Sequence, residues 1–238
     1  MQQFSKVLLG YCSFVHICSK ISVLGIIAIT MTGMSSGQES QDIAFVLKST
    51  GKVHIGKVRE KKWIKSYRGV RVNSGNVVRT GSNSFASLVF TDDKSMIKVR
   101  SKSRVTINGK RNKKQVKKSL FMRLGQMWSK VTKGSLFQIE SPSGVAAVKG
   151  TEWYTIVTSD GTQIIFCLEG SIELSNQYGT LLINAGERGI IQRDTGPSKR
   201  PVRDGEMPGW ATDMQDMNLE IEFENDAKEK KKLKIRIR

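Results

Sequence analysis

The feature that most constrains the fold is a succession of short apolar segments between about residues 44 and 192, separated by glycines. Residues 85–90 alternate with period two as a two-faced strand, whereas residues 164–168 are apolar on both faces, as in a buried strand. The glycines recur at intervals near ten residues, and no amphipathic helix pattern interrupts them. Short strands with turn residues at this spacing predict an all-β domain built as a sandwich, a barrel or a solenoid.

The first 37 residues have a different pattern, which is typical of an export signal. Their only charges are Lys6 and Lys20, residues 21–34 are apolar, and residues 35–37 are small. A positive region, a short apolar core and a small-residue exit predict a secretory signal peptide. Residues 7–34 could instead form an uncleaved membrane anchor. We therefore expect an exported protein, either periplasmic or extracellular.

The residues that usually carry catalysis are scarce. The histidines are His16 and His54, and the cysteines are Cys12, Cys18 and Cys167. These numbers argue against thiol–imidazole catalysis, a His-rich metal site and a disulfide scaffold. Cys167 lies in an apolar run, which favours a buried, unreactive side chain. No catalytic elbow, phosphate-binding glycine loop or zinc ligand set is found. We predict no enzyme, no cofactor and no metal.

Charge is segregated along the chain, whose net charge is +18. Residues 48–133 hold 24 Lys and Arg against 3 acids, residues 134–227 hold 6 against 15, and residues 228–238 hold 7 against 1. A basic block of this size favours an anionic glycan, a lipid headgroup or an acidic protein as partner, while export makes nucleic acid unlikely as a partner. The densest run supplies the candidate anion contacts, which are Lys110, Arg111, Lys113, Lys114, Lys117 and Lys118. For this run alone, a solvated loop is the alternative.

Several motifs follow one another in a fixed order. They lie at residues 72–81, 84–90, 103–107, 124–128, 137–142, 146–153, 169–174 and 183–187. Together they resemble the FecR domain family, the periplasmic domains of ferric-citrate-type regulators and their free-standing relatives. The positions that carry the signature are Gly75, Thr80, Gly81, Pro142, Gly150, Thr151, Gly170 and Gly186. Asn76 replaces the usual Asp, and Asp92-Asp93-Lys94 replaces an Asp-Gly turn.

The resemblance implies a β-solenoid-like stack over residues 42–193, although the strand pattern alone equally allows a sandwich. It also implies a non-enzymatic interaction or sensing module of the cell envelope that binds a protein or an anionic ligand. Regulators of this family carry a sigma-factor-binding segment before their membrane helix, and residues 1–20 are too short and too apolar for one. The free-standing, exported branch is therefore the better comparison. The alternative function is a basic polyanion-binding protein with no signalling role.

The C-terminal residues predict a β-hairpin, preceded by a linker over residues 194–218. In residues 219–224 and 233–238, apolar and charged residues alternate. Pairing Glu224 with Lys234 and Glu222 with Arg236 would place opposite charges on one face of a hairpin over residues 219–238.

Overall fold

The structure is a computed structural model, in which the chain divides into two units between Gln38 and Glu39. It describes residues 42–57, 60, 62–112, 115–208, 218–224 and 230–236, with side chains up to residue 208 apart from those of 111, 112 and 115. The predicted signal peptide or anchor at residues 1–37 lies outside these residues. Within the described ranges, no helix is long and apolar enough to cross a membrane.

All regular structure in the described residues is β-strand. The strands are β1 (Asp42–Thr50), β2 (Val53–Lys57), β3 (Trp63–Lys65), β4 (Arg71–Asn73), β5 (Asn76–Thr80), β6 (Phe85–Phe90), β7 (Met96–Val99), β8 (Arg104–Asn112), β9 (Gln115–Lys130), β10 (Phe137–Ser141), β11 (Gly144–Val148), β12 (Glu152–Val157), β13 (Gln163–Glu169), β14 (Ser171–Asn176), β15 (Gly179–Asn184), β16 (Glu187–Ile191), β17 (Ser198–Pro201), β18 (Asn218–Glu224) and β19 (Lys230–Arg236). The prediction of an all-β fold is confirmed.

The first seventeen strands form one sheet that is folded into two layers. Layer A has the order β4-β1-β6-β7-β9-β12-β13-β16-β17, and layer B has the order β3-β2-β5-β8-β9-β10-β11-β14-β15. From β10 onward, successive hairpins alternate between the layers, as the coils of a solenoid would. Neighbours within each layer are antiparallel except β9 and β10, so the cross-section is that of a sandwich.

Strand β9 belongs to both layers, and Gly125 is the residue at which it passes from one to the other. Leu124 pairs with Arg104 in layer B, whereas Gly125 pairs with Val157 in layer A. Gly125 has a φ of +118°, and a Cβ there would lie 2.1 Å from the hydroxyl oxygen of Ser103. Only glycine fits a backbone this close to its neighbour.

The main core lies between the two layers. Apolar side chains from both layers form one continuous cluster, with Leu88 and Ile97 from layer A and Ile107 and Leu120 from layer B fully buried. Phe137 of layer B packs edge-on against the rings of Phe90 and Trp153 of layer A, at centroid distances of 5.6 and 5.7 Å. Cys167 is buried in this cluster, as predicted, and burial raises the pKa of its thiol to about 11.

A second cluster lies on the other face of layer A. Its buried members are Leu47, Val89, Met96, Trp128, Tyr154 and Phe166. Lys98 is fully buried beside them, with its ammonium 4.4 Å from the centroid of the Trp128 ring. Burial lowers the pKa of Lys98 to about 8, against a partial opposing effect from Glu152. Layer A therefore carries apolar side chains on both faces.

The structure corrects two predictions near the C-terminus. Residues 194–218 are not a plain linker, because β17 pairs with β16 and Val202 packs on the second cluster. The hairpin is confirmed, but its predicted register is wrong by four residues, since Glu224 pairs with Lys230 and Glu220 pairs with Lys234. The observed connection between the strands is shorter, so closing it costs less entropy. A shift by an even number keeps the same residues on each face.

Candidate anion-binding groove

The structure separates the predicted basic run into residues with different environments. Lys110 and Lys117 are exposed and face each other across β8 and β9. Lys117 borders a hollow of about 400 Å³, together with Lys149 and Glu173. The side chains of Arg111, Lys113 and Lys114 lie outside the described residues.

Lys118, the sixth predicted contact, is fully buried and cannot meet an external anion. Its ammonium donates to carboxylate oxygens of Asp92 at 2.8 Å and of Asp93 at 2.6 Å. Burial alone would raise the pKa of Asp93, but hydrogen bonds from Lys118, Ser135 and Ser95 outweigh burial and lower it. The assignment of Lys118 as an anion contact is therefore wrong, because carboxylates of its own chain already neutralise it.

These carboxylates belong to the turn that departs from the Asp-Gly pattern. Asp93 accepts a hydrogen bond from the backbone N–H of Ser95 at 2.9 Å, and Lys94 adopts a φ of +60°, a conformation that favours glycine. At the other departure, the side-chain oxygen of Asn76 accepts from the N–H of Asn73 at 2.9 Å. Both turns are thus closed by a side-chain oxygen that accepts from a backbone N–H two or three residues away.

The signature residues occupy turns and strand ends. Gly75, Gly150, Gly170 and Gly186 all have φ between 72° and 83°. A Cβ on Gly150 would lie 2.5 Å from the Cα of Lys133, so this position also requires close approach.

The two signature threonines are buried, and both bond to backbone. Thr80 accepts from the N–H of Ser103 at 2.9 Å, and Thr151 donates to the carbonyl of Ser171 at 3.1 Å. Gly81 adjoins Lys52, since a Cβ there would lie 3.2 Å from the Cβ of Lys52. These residues stabilise the fold, whereas Pro142 is exposed beside a groove.

This groove has a volume of about 660 Å³, which is within the range of about 300–1,000 Å³ usual for ligand sites. Its lining comes from β5, β8, β9 and four connecting segments, and comprises Arg79, Thr80, Lys102, Ser103, Arg104, Phe121, Arg123, Leu124, Pro142, Ser159, Gly161 and Arg193. Five of these residues are cationic and none is acidic. Among the residues that the structure describes, none of the five forms an ion pair with a carboxylate.

Two of the arginines lie directly opposite each other on adjacent strands. Arg79 of β5 pairs with Arg104 of β8. Like charges directly opposite on antiparallel strands destabilise the pair, since their Cβ atoms lie only about 4.5–5.5 Å apart. The guanidinium of Arg79 also lies 5.3 Å from the centroid of the half-buried Trp63 ring. An anion between Arg79 and Arg104 would relieve their repulsion.

A β-bulge lies at a third arginine of the groove. Arg104 pairs with Leu124, but Val105 pairs with Met122, so Arg123 is an extra residue in β9. Bulges redirect a side chain relative to a regular ladder. Arg123 keeps the alternation of β9 and is exposed, and the bulge turns the following residue, Leu124, outward as well, so that both line the groove.

None of the five cations of the groove is among the anion contacts that the sequence predicted. Lys102 and Arg104 are close in sequence, but Arg79, Arg123 and Arg193 lie far from them in the chain and meet them only through the fold. One signal was available within β9, where buried Leu120 and Met122 alternate with exposed Phe121 and Arg123. Among the described residues, no group of three or more His, Cys, Asp or Glu is placed to hold a metal ion.

Part of the chain matches a known protein family. Residues 76–173 match the family model described as FecR protein. Two crystal structures of a candidate anti-sigma factor from Parabacteroides distasonis ATCC 8503 are similar at 11% identity, with TM-scores of 0.45 and 0.46. Each alignment covers 52% of this chain and 59% of the solved chain. Among curated proteins, none matches the chain. Residues 76–173 are therefore similar to the FecR protein family.

Proposed function

We propose that this chain is a non-enzymatic interaction and sensing module of the bacterial cell envelope, which binds an anionic ligand in its basic groove. The FecR domain supports the regulatory class, and the amino-terminal pattern supports export, either as a secreted protein or on an uncleaved anchor. The observation that carries the proposal is the lining of the groove, where five cations converge without a carboxylate.

The energetic argument rests on where these cations lie. Elsewhere in the described residues, cations such as Lys118, Lys130 and Arg200 are paired with carboxylates. The groove instead concentrates charge of one sign in a concave surface, which focuses the field and attracts counter-ions. At physiological ionic strength the screening length is about 8 Å, so neighbouring cations such as Arg79 and Arg104 act together on one ligand.

The experiment compares a groove variant with a matched control. The groove variant carries Arg104→Gln, Arg123→Gln and Arg193→Gln, and the control loses the same charge through Lys48→Gln, Lys62→Gln and Arg203→Gln, which are exposed outside the groove. Binding to a heparin oligosaccharide and to polyphosphate is measured by titration calorimetry across a range of NaCl concentrations.

We expect the groove variant to bind both probes more weakly. The slope of log K against log salt should become shallower by about 0.7 for each lost contact, if these probes behave as single-stranded nucleic acids do. The control keeps the wild-type dependence on salt. Equal losses in the two variants, or no loss in the groove variant, would overturn the proposal.

The same titrations bear on the alternative of a polyanion-binding protein with no signalling role. Such a protein would bind many polyanions through charge alone, with similar affinity at equal charge. A sensing module instead discriminates among anions of the same charge, so a panel of probes with matched charge separates the two functions.

A further inference from the structure

The groove contains apolar surface that an inorganic anion would not need. Phe121 and Leu124 are 36% and 41% exposed, and Pro142 is exposed beside them. All three line the same groove as the five cations. Exposed apolar side chains gathered in a concave site mark a ligand that has an apolar face of its own.

The apolar floor is held by regular backbone. Phe121 lies in β9 between two paired strands, opposite Thr106 of β8 and Glu140 of β10. Glu140 is not part of the lining, and its carboxylate accepts hydrogen bonds from Ser119 and from Gln138, the latter at 2.7 Å. The backbone beneath the Phe121 ring is therefore fixed, and the neighbouring carboxylate is engaged outside the groove.

The cations are chiefly arginines, which affects the kind of anion they suit. Four of the five are Arg, whose planar guanidinium group donates two parallel hydrogen bonds to a carboxylate or a phosphate. A sugar that carries a carboxylate combines both requirements, because its ring has a C–H face and its rim has an anion and hydroxyl groups. Polyphosphate has no apolar face, and a flat bilayer surface does not enter a concave groove.

Single-stranded nucleic acid is the other polyanion with apolar faces. Proteins that bind it without sequence preference stack successive bases on several aromatic side chains. Within the described part of the chain, the groove lining contains one aromatic residue, Phe121. That lining suits one ring at a time rather than a run of bases.

We propose that the groove is a subsite for an acidic glycan, in which a uronate ring packs on Phe121 while arginines of the rim bind its carboxylate. This inference rests on the proposed function, since it specifies the anion that the basic groove takes. The ring lies against Phe121, Leu124 and Pro142, and Arg104 and Arg123 bind the carboxylate. Ser159 and the buried Thr80 and Ser103 add polar groups to the lining.

The test uses three probes of equal charge at one ionic strength. These are an oligogalacturonide, polyphosphate and a single-stranded oligonucleotide, and each is titrated into the full chain, into Phe121→Ala and into Tyr178→Ala. Tyr178 is 54% exposed and does not line the groove, so it controls for the loss of an exposed aromatic ring.

We expect the oligogalacturonide to bind most tightly, and Phe121→Ala to weaken it about tenfold, as for loss of one stacking contact, with little change for polyphosphate. Tyr178→Ala leaves all three affinities unchanged. Tighter binding of polyphosphate or of the oligonucleotide, or no effect of Phe121→Ala, overturns the glycan inference while leaving anion binding intact. If the triple arginine variant binds every probe as the wild type does, the proposed function itself fails.

Discussion

The Lys118 cluster and four of the five cations of the groove come from the same basic block of sequence, but they use charge in opposite ways. Lys118 is fully buried and meets two carboxylates within 2.8 Å. Of the described residues that line the groove, five are exposed or half-exposed cations and none is a carboxylate. A cation with internal partners stabilises the fold, whereas cations that face one another without partners are available to a ligand. The local partner of a charge therefore indicates its role better than the net charge of the segment does.

The largest expected effect is at Lys118. Lys118→Met leaves Asp92 and Asp93 largely buried without their cation, so we expect the free energy of unfolding to fall by about 3–5 kcal/mol. Urea denaturation at neutral pH measures this change. Lys117→Met, at the exposed neighbouring position, is the control and should stay within about 0.5 kcal/mol of the wild type.

If Lys118→Met does not fold, the combined variant with Asp92→Asn and Asp93→Asn removes the unpaired charges and should recover part of the stability. A loss below about 1 kcal/mol for Lys118→Met, the typical cost of an arbitrary substitution, would contradict a structural role for the cluster.

The next largest effect is expected at Lys98, which is intermediate between the Lys118 cluster and the groove. Its side chain is buried beside the Trp128 ring, and its pKa is lowered from 10.5 to about 8. The folded protein releases this proton more readily than the unfolded chain, so stability increases with pH from about 8 and levels off above 10.5. Relative to Lys98→Met, the wild type should gain about 3 kcal/mol over this interval. Denaturation of both proteins at several pH values measures the gain, and parallel pH curves would contradict it.

The smallest effect has the opposite sign and is expected in the groove. Arg104→Gln removes one of two arginines that face each other across β5 and β8, so the free energy of unfolding should rise by about 0.2–1 kcal/mol at low salt. The gain should shrink as NaCl is added, because salt screens exposed charges. Arg203→Gln, an exposed arginine outside the groove, is the control. A loss of stability in Arg104→Gln would show that Arg104 is held by favourable contacts.

The sequence predicted the positions of strands better than it predicted which strands and side chains meet. The alternation in residues 85–90 and the apolar run at 164–168 predicted β6 and β13, because period-two patterns are local. Lys118 illustrates what was misread, since it shares a face with Val116, Leu120 and Met122, all of which are buried. That alternation was visible in the sequence, but the surrounding charges suggested an exposed loop.

The groove could not be predicted in the same way. It depends on the pairing of β5 with β8 and on the bulge at Arg123, and both are set by contacts between distant parts of the chain. The predicted register of the C-terminal hairpin was wrong for a related reason. Two registers that differ by four residues place the same residues on each face, so the pattern of apolar positions does not distinguish them.

The sharing of β9 between the two layers has a consequence for the cooperativity of the domain. Residues 115–124 belong to layer B and residues 125–130 belong to layer A, and the two parts are joined by covalent backbone. Because β9 is the middle strand of both layers, unfolding it in one layer also disrupts the other layer. This favours a single all-or-none unfolding transition. A ligand held by Arg123 on one side of Gly125 would therefore slow hydrogen exchange at Trp128 on the other side, because both amides open in the same cooperative unit.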